Sequence, residues 1–363
     1  NMKKALVCGV GRMGQCIVYA MDRLGYEVIG VDSWEGAAEN VDADKFIHTP
    51  ELEDIKKAIN YHLPDVVVSS LPYHQLKDVA FYCINKGIRY CDLGGRVDVS
   101  ADINKYAEEK ASKPVFTDLG LAPGLVNILV EWGYSELHHK VHEVKIMVGG
   151  LPAMPTNPPL NYAVTWSVDG LINEYRDDCE VLKAGEIHKV AGMDGKEDVS
   201  FELLKNEKLE AFYTSGGASH TIRTMKDRGV KNCSYKTIRY EGHRDIVKFL
   251  IRNCDLDDKT LESIFLNGCP KDHDVVLIKA TVKGGNVTWN REVIIGYDLK
   301  FSAMQKSTAY SISAAAALMA DGYFDNRVVE NRSGDIKLPL VLHYKDIPFD
   351  LFKDNLEKLG VTI

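Results

Sequence analysis

Near the N-terminus, Gly9-Val10-Gly11-Arg12-Met13-Gly14 has a spacing suited to holding a dinucleotide. Gly9 permits a tight turn, Gly11 lets the backbone come close to a pyrophosphate, and Gly14 lets the following helix lie against its strand. The anion would face the helix N-terminus, with Arg12 and Met13 in the first turn. Asp32 follows twenty-three residues after Gly9. A carboxylate there accepts hydrogen bonds from ribose hydroxyls and repels a 2′-phosphate, which favours NAD over NADP, with Arg12 the nearby cation able to offset that charge. A glycine turn without ligand and a solvated strand-end Asp are the plainer alternatives.

Three later segments place polar residues after short apolar runs: Ser69-Ser70-Leu71-Pro72, Asp92-Leu93-Gly94-Gly95 and Asp118-Leu119-Gly120. In an open parallel sheet, ligands bind outside the carboxyl ends of the strands. Ser70, Leu71, Pro72, Asp92, Gly120 and Pro123 are therefore candidates to meet the nicotinamide half of the cofactor. Each Ser serves equally well as a helix cap.

The elements that must position these residues follow from the apolar periodicity. Strands are expected at 5–8, 27–31, 45–47, 65–69, 89–92 and 115–118, and helices at 13–24, 51–61, 75–85 and 103–110. This βαβ rhythm predicts an α/β fold with a Rossmann doubly wound parallel sheet over residues 1–122. Pro123 fits the first turn of a helix running through 125–137. Strand signals then recur at 143–148, ending in Gly149-Gly150-Leu151-Pro152, and at 180–182, 189–191, 236–240 and 275–282. They predict a second α+β domain, 123–300, with a largely antiparallel sheet. Residues 301–363 read as a C-terminal segment opened by an Ala/Ser-rich helix, 302–320, packing back near the Rossmann domain.

The chain has 363 residues, 45% hydrophobic and 26% charged, with a net charge of -8, and so has the composition of a soluble globular protein. It lacks the cationic excess that nucleic acid or an anionic membrane surface demands, so a small molecule is the expected partner. The apolar stretch at 314–320 is too short for a membrane span, and the first apolar segment breaks into the glycine turn, unlike a signal peptide. Eight scattered cysteines have no zinc spacing. No metal is expected, and a reducing cytoplasmic location is.

Gly120-Leu121-Ala122-Pro123-Gly124-Leu125-Val126-Asn127 resembles the signature of the saccharopine dehydrogenase family. Gly149-Gly150-Leu151-Pro152, residues 160–167, 170–175, 210–217 and 236–243 are similar to the branch that contains L-lysine 6-dehydrogenases. Glu241 stands where Pro is usual, residues 218–222 are less typical, and the tail from Asp325 has no match. The resemblance implies a Rossmann domain, an amino-acid-binding α/β domain that often dimerises, and hydride transfer between a nicotinamide cofactor and an amino-acid C–N bond. A homodimer is expected, also from the sheet-bearing second domain and the small-residue helix near Ala314.

Such chemistry needs a neutral amine, a route for the ammonium proton and charge partners for the substrate's α-groups. Arg239 is the first candidate for the carboxylate and Arg223 the second, each otherwise a surface ion pair. His243, at an expected helix start, is a candidate base or proton relay titrating near neutral pH, or else a structural hydrogen-bonding residue. Asp92 and Asp118 are candidates to hold the ammonium or, where burial raises the pKa, to act as base. Asn161, Tyr162, Thr165 and Trp166 suit a substrate wall, though Tyr and Trp are as often core. The Gly149-Gly150 backbone could donate to a carboxylate.

The leading expectation is oxidative deamination of the terminal amine of L-lysine. Saccharopine dehydrogenase or another opine-type, carboxynorspermidine-like reaction is the alternative. Such a substrate carries extra carboxylates and should call for more than one cation, whereas a single arginine beside an acidic residue argues for free lysine. A catalytically silent NAD-binding sensor is the non-enzymatic reading.

Overall fold

In the computed structural model, which describes residues 2–42, 45–137, 140–329 and 336–363, the chain divides into two compact units. One comprises 1–125 with 307–362, the other 126–306 with the terminal residue.

The first unit follows the βαβ rhythm: β1 (Lys4–Cys8), α1 (Arg12–Arg23), β2 (Glu27–Asp32), β3 (Phe46–His48), α2 (Leu52–His62), β4 (Val66–Ser69), α3 (Tyr73–Lys86), β5 (Arg89–Asp92), α4 (Val97–Lys110) and β6 (Val115–Phe116). These strands form one parallel sheet in the order β3-β2-β1-β4-β5-β6. β1 and β4 are wholly apolar in their interiors because helices cover both faces. Leu6, Val31, Val67, Val79, Tyr90, Ile103 and Val115 belong to the core they share. Helix α4 begins six residues before the expected Ile103, at Val97, whose side chain is exposed and so breaks the apolar period that would have marked the start.

The second unit opens in α5 (Leu125–Glu136), so Pro123 precedes the helix rather than sitting in its first turn. There follow β7 (Val141–Pro152), α6 (Val168–Arg176), β8 (Cys179–Lys183), β9 (Glu186–Val190), β10 (Glu197–Val199), β11 (Leu209–Tyr213), α7 (Thr221–Asp227), β12 (Asn232–Tyr240), α8 (His243–Arg252), α9 (Asp258–Gly268), β13 (Asp274–Gly284) and β14 (Val287–Gly296). The sheet runs β10-β11-β12-β7-β13-β14, with β8 beside β12 and β9 beside β8; β7 and β12 are parallel and the other pairs antiparallel. Tyr162, Tyr175, Phe212, Val247, Ile251 and Phe265 belong to one core of this unit, built mainly of helix residues and the chain leading into α6.

Helix α10 (Ala303–Ala320) starts in the second unit, where buried Asp274 accepts from the backbone N–H groups of Ala303 and Met304 at 2.7 and 2.9 Å. It ends in the first, where the Ala317 carbonyl accepts from the Tyr26 hydroxyl. After a short pair, β15 (Val328–Val329) and β16 (Ile336–Lys337), Val341 bridges to Val115 at the sheet edge, and α11 (Phe349–Lys358) buries Phe352 and Leu356. Among the described residues no helix is long and apolar enough to cross a membrane.

Candidate functional site

The glycine turn lies between β1 and α1. Gly9 has φ +84 and donates its N–H to the Val31 carbonyl at 2.8 Å. A side chain at Gly14 would land on the Gly9 carbonyl, so only glycine brings the helix this close. At Gly11, the residue before α1, nothing stands within 4 Å of where a side chain would point. A turn that is closed at Gly14 and open at Gly11 fits a pyrophosphate approaching the helix N-terminus. Arg12 is exposed and Met13 half-buried beside it. Asp32 ends β2 and accepts from Val10 N–H at 2.7 Å and Trp34 N–H at 2.9 Å, so the backbone fixes its carboxylate next to the turn. Each oxygen keeps a lone pair for a ribose hydroxyl.

The other strand ends of this unit are knit together. Ser70 N–H donates to the Cys8 carbonyl, Leu71 is half-buried, and exposed Pro72 precedes α3. Gly120 N–H donates to the Pro123 carbonyl, closing that turn. Asp92 is fully buried and accepts from Tyr90 Oη at 2.9 Å, Gly94 N–H at 2.9 Å and Asp118 N–H at 3.2 Å. Burial, and then the neighbouring Asp118 charge, push its pKa up to about 7. Its oxygens face the protein's own donors, which makes it a tie between loops rather than an open partner for an ammonium. Asp118, at φ 58, accepts from Ser100 Oγ at 2.7 Å, and its carbonyl accepts from Tyr344 Oη.

In the second unit a different kind of site is assembled. Arg239, on β12, is 3% exposed. Its Nε donates to Tyr175 Oη and its Nη1 to the Ile238 carbonyl, both at 2.8 Å, and its guanidinium lies 4.8 Å from the Tyr162 ring centre. Tyr175 Oη is 3.0 Å from His243 Nε2, and His243 Nδ1 is 2.7 Å from the Leu160 carbonyl. Because a guanidinium only donates and a carbonyl only accepts, the protons are fixed. Arg239 donates to Tyr175, Tyr175 donates to His243 Nε2, and His243 donates from Nδ1. Burial, with the Arg239 charge second, lowers the His243 pKa to about 3. His243 is therefore a neutral support for Tyr175, which corrects the expectation of a base or relay titrating near neutral pH.

Arg239 Nη2 has no protein acceptor among the described residues. Burial opposes its charge, but the oxygens of Tyr175 and Tyr162 and the Glu174 carboxyl more than restore it. Glu174, adjacent to Tyr175 on α6, was not among the candidates. It is half-buried, its carboxyl makes no hydrogen bond or ion pair among the described residues, and burial pushes its pKa up to about 8. Within the helical pattern of 170–175 nothing local marks it. Its importance comes from Arg239, which the fold brings near.

Tyr162 and Thr165 are buried, and their hydroxyls make no hydrogen bond among the described residues. Trp166 packs over Gly170 at the start of α6, and Asn161 is half-buried at φ 45. Gly149 and Gly150 lie inside β7, opposite Leu277 and Val276 of β13. They are strand residues, fourth and third from the C-terminal end of β7 and paired with β13. A side chain at Gly150 would strike Met304, with Thr165 Oγ1 at 3.4 Å. Arg223 is also corrected: its side chain is 69% exposed and pairs with Glu180 at 2.8 Å on the surface. Among the described residues no group of acidic, His or Cys side chains is arranged to hold a metal.

The saccharopine dehydrogenase C-terminal domain profile matches residues 120–334, more than half of the chain. The chain belongs to the saccharopine dehydrogenase family. Among curated relatives, the saccharopine dehydrogenase [NADP(+), L-glutamate-forming] of Schizosaccharomyces pombe is 23% identical over 57% of this chain and 46% of its own length. The Saccharomyces cerevisiae protein of the same name is 26% identical over 52% and 43%. The matched chain thus spans about half the length of these relatives. The apo structure of the S. cerevisiae saccharopine dehydrogenase (L-Glu forming) superposes with a TM-score of 0.72 over 99% of this chain and 98% of that one, at 16% identity, a likeness of fold. The family's two parts, a parallel dinucleotide-type sheet and a mixed second sheet, are both present here.

Proposed function

We propose that this family member is an NAD-dependent amino-acid dehydrogenase acting on a C–N bond, with the terminal amine of free L-lysine as its substrate. The observation that carries this reading is Arg239, a buried arginine with an unspent donor edge beside an unpaired Glu174. The other cations of the second unit that are buried or nearly so are already taken. Lys236 binds Glu197 at 2.8 Å and the Gly195 carbonyl, Arg228 binds Glu131 at 2.8 Å, and Arg244 binds the Met193 carbonyl. Among the described residues that leaves one available buried cation, which suits a substrate with one carboxylate.

The cofactor residues are Gly9, Gly11, Arg12, Met13 and Gly14, with Asp32 at the ribose. When bound, the nicotinamide takes the hydride from the carbon that bears the amine. Arg239 holds the α-carboxylate, while Tyr175 and His243 keep the guanidinium plane fixed. Tyr162 and Thr165 offer hydroxyls to the remaining polar groups, and the Tyr162 ring shields the guanidinium from water. The oxidised C–N bond is then hydrolysed, releasing ammonia and an aldehyde that can cyclise to an imine. Asp32 supports NAD, because its charge opposes a 2′-phosphate.

The names of the curated relatives favour a second reading, saccharopine as substrate and NADP as cofactor. Incubating the chain with NAD and L-lysine and following reduced nicotinamide by absorbance decides between them. NADH formed from lysine without any keto acid is expected; turnover with saccharopine but not with lysine would sink the proposal. We further propose a homodimer, which light scattering would test.

A further inference from the structure

Among the described residues, Arg239 and Glu174 are the two ionisable groups of the second unit's site with unspent capacity, and they are not in ion-pair contact with each other. Had they touched, each would have neutralised the other. Left apart, one offers a donor edge and the other a carboxyl. Tyr162, Tyr175, Tyr235 and Cys179 are the titratable neighbours coupled to Glu174, all with pKa values pushed up by burial, so they are neutral. Nor can the Tyr175 hydroxyl supply a donor here, since it is committed to His243. A ligand that satisfies both groups must present an anion and a cation a short distance apart.

On the reading that this site takes an amino acid, we infer that Glu174 is its specificity residue, binding the substrate's α-ammonium while Arg239 binds the α-carboxylate. The pair reads a zwitterionic head group and rejects an ω-amino acid that lacks the α-amine. Three supports are independent of one another. The guanidinium is locked in plane by Tyr175 and Ile238, so its free edge has one direction. Glu174 directly precedes Tyr175 on α6, so the helix that supplies the guanidinium's tyrosine partner also carries the carboxyl, whose charge interacts with that of Arg239. The raised pKa of Glu174 is the signature of a carboxyl waiting for a cation, since burial without a partner disfavours its charge.

The experiment is calorimetric binding of L-lysine and 6-aminohexanoate to the full chain, as wild type, Glu174→Gln and Glu174→Asp. The two ligands differ by the α-amine alone. Wild type is expected to prefer lysine by about tenfold or more, the scale of one charge-assisted hydrogen bond. Glu174→Gln should bring the two within about twofold by weakening lysine only, and Glu174→Asp should restore part of the preference. Because the readout is a ratio within one protein, a general loss of folded material cancels. An unchanged ratio in Glu174→Gln overturns the assignment. If wild type binds no amino acid at all, the amino-acid reading itself has failed, an outcome distinct from binding with an unchanged ratio.

Discussion

Asp92 in the first unit and Glu174 in the second are both carboxyls whose pKa burial raises, to about 7 and about 8. By that measure they are equivalent. They differ in what their oxygens meet: Asp92 takes three hydrogen bonds from Tyr90, Gly94 and Asp118, whereas Glu174 takes none among the described residues. The two arginines singled out by type make the same contrast, Arg223 closed by Glu180 on the surface and Arg239 buried with an edge to spare. Burial and charge locate groups under constraint. Unspent hydrogen-bonding capacity separates those held for a ligand from those holding the fold together.

The arginines give the widest separation. Arg239→Met should lower kcat/KM for the amino-acid substrate by on the order of 100-fold or more, the loss expected for a desolvated charge-assisted contact. Arg223→Met should stay within about twofold, because an exposed ion pair contributes about 0 to 1 kcal/mol. Steady-state kinetics on both variants checks this, and equal losses would break the comparison.

The carboxyls separate in stability rather than in rate. Asp92→Ala leaves the Tyr90 hydroxyl and two backbone N–H groups without their acceptor, at a cost of about 3 kcal/mol or more. Glu174→Gln removes no protein hydrogen bond and should unfold at the same denaturant midpoint as wild type at pH 4. As pH rises the variant gains on wild type. A carboxyl whose folded pKa lies above its unfolded value holds its proton longer when folded, so stability falls as pH rises from about 4 to about 8 and is level beyond. Glu174→Gln escapes that fall and should be more stable than wild type at pH 9. Denaturant unfolding at the two pH values reads both effects.

How much of this could be seen in the chain beforehand differs between the units for a physical reason. The glycine turn and Asp32 are legible because they encode backbone geometry over a few adjacent residues: Gly9 must take positive φ, Gly14 must lack a side chain, and Asp32 ends the next strand. The alternation of β1 to β6 with their helices is legible for the same reason, since apolar periodicity is local. The second site is built from side chains on α6, β12 and α8 and on the loop before α6. Arg239 can be suspected from its type, but its exposure cannot, which is why Arg223 looked comparable. Gly149 and Gly150 carry a turn-like composition, yet lie inside β7 because Gly149 is pressed against Ile238 and Gly150 against Met304, close approaches that no local pattern reveals.

A smaller effect tests whether Asp32 belongs with the open groups. Its oxygens already accept from Val10 and Trp34, as Asp92's do from their donors, but it is only half-buried, at the carboxyl end of β2, with lone pairs remaining. Asp32→Ala should weaken NAD about tenfold in a fluorescence titration and leave NADP unchanged or slightly tighter. An equal loss for both cofactors would move Asp32 to the side of Asp92, a brace for the turn.

The smallest effect belongs to the hydrogen-bonded series from Arg239 through Tyr175 to His243. Tyr175→Phe removes one acceptor from Arg239 and one donor from His243 but leaves the guanidinium bonded to Ile238 and its charge intact. The expected result is a rise in KM of about threefold with kcat nearly unchanged, because the guanidinium keeps its charge and its bond to the Ile238 carbonyl. His243 itself should show Nδ1 protonated and no titration between pH 5 and 9 by nitrogen NMR, because burial and the Arg239 charge hold its pKa near 3. If Tyr175→Phe instead lowers kcat and makes its pH profile lose a limb, the series moves protons during turnover. The second unit would then contain a working relay where the geometry indicates a brace.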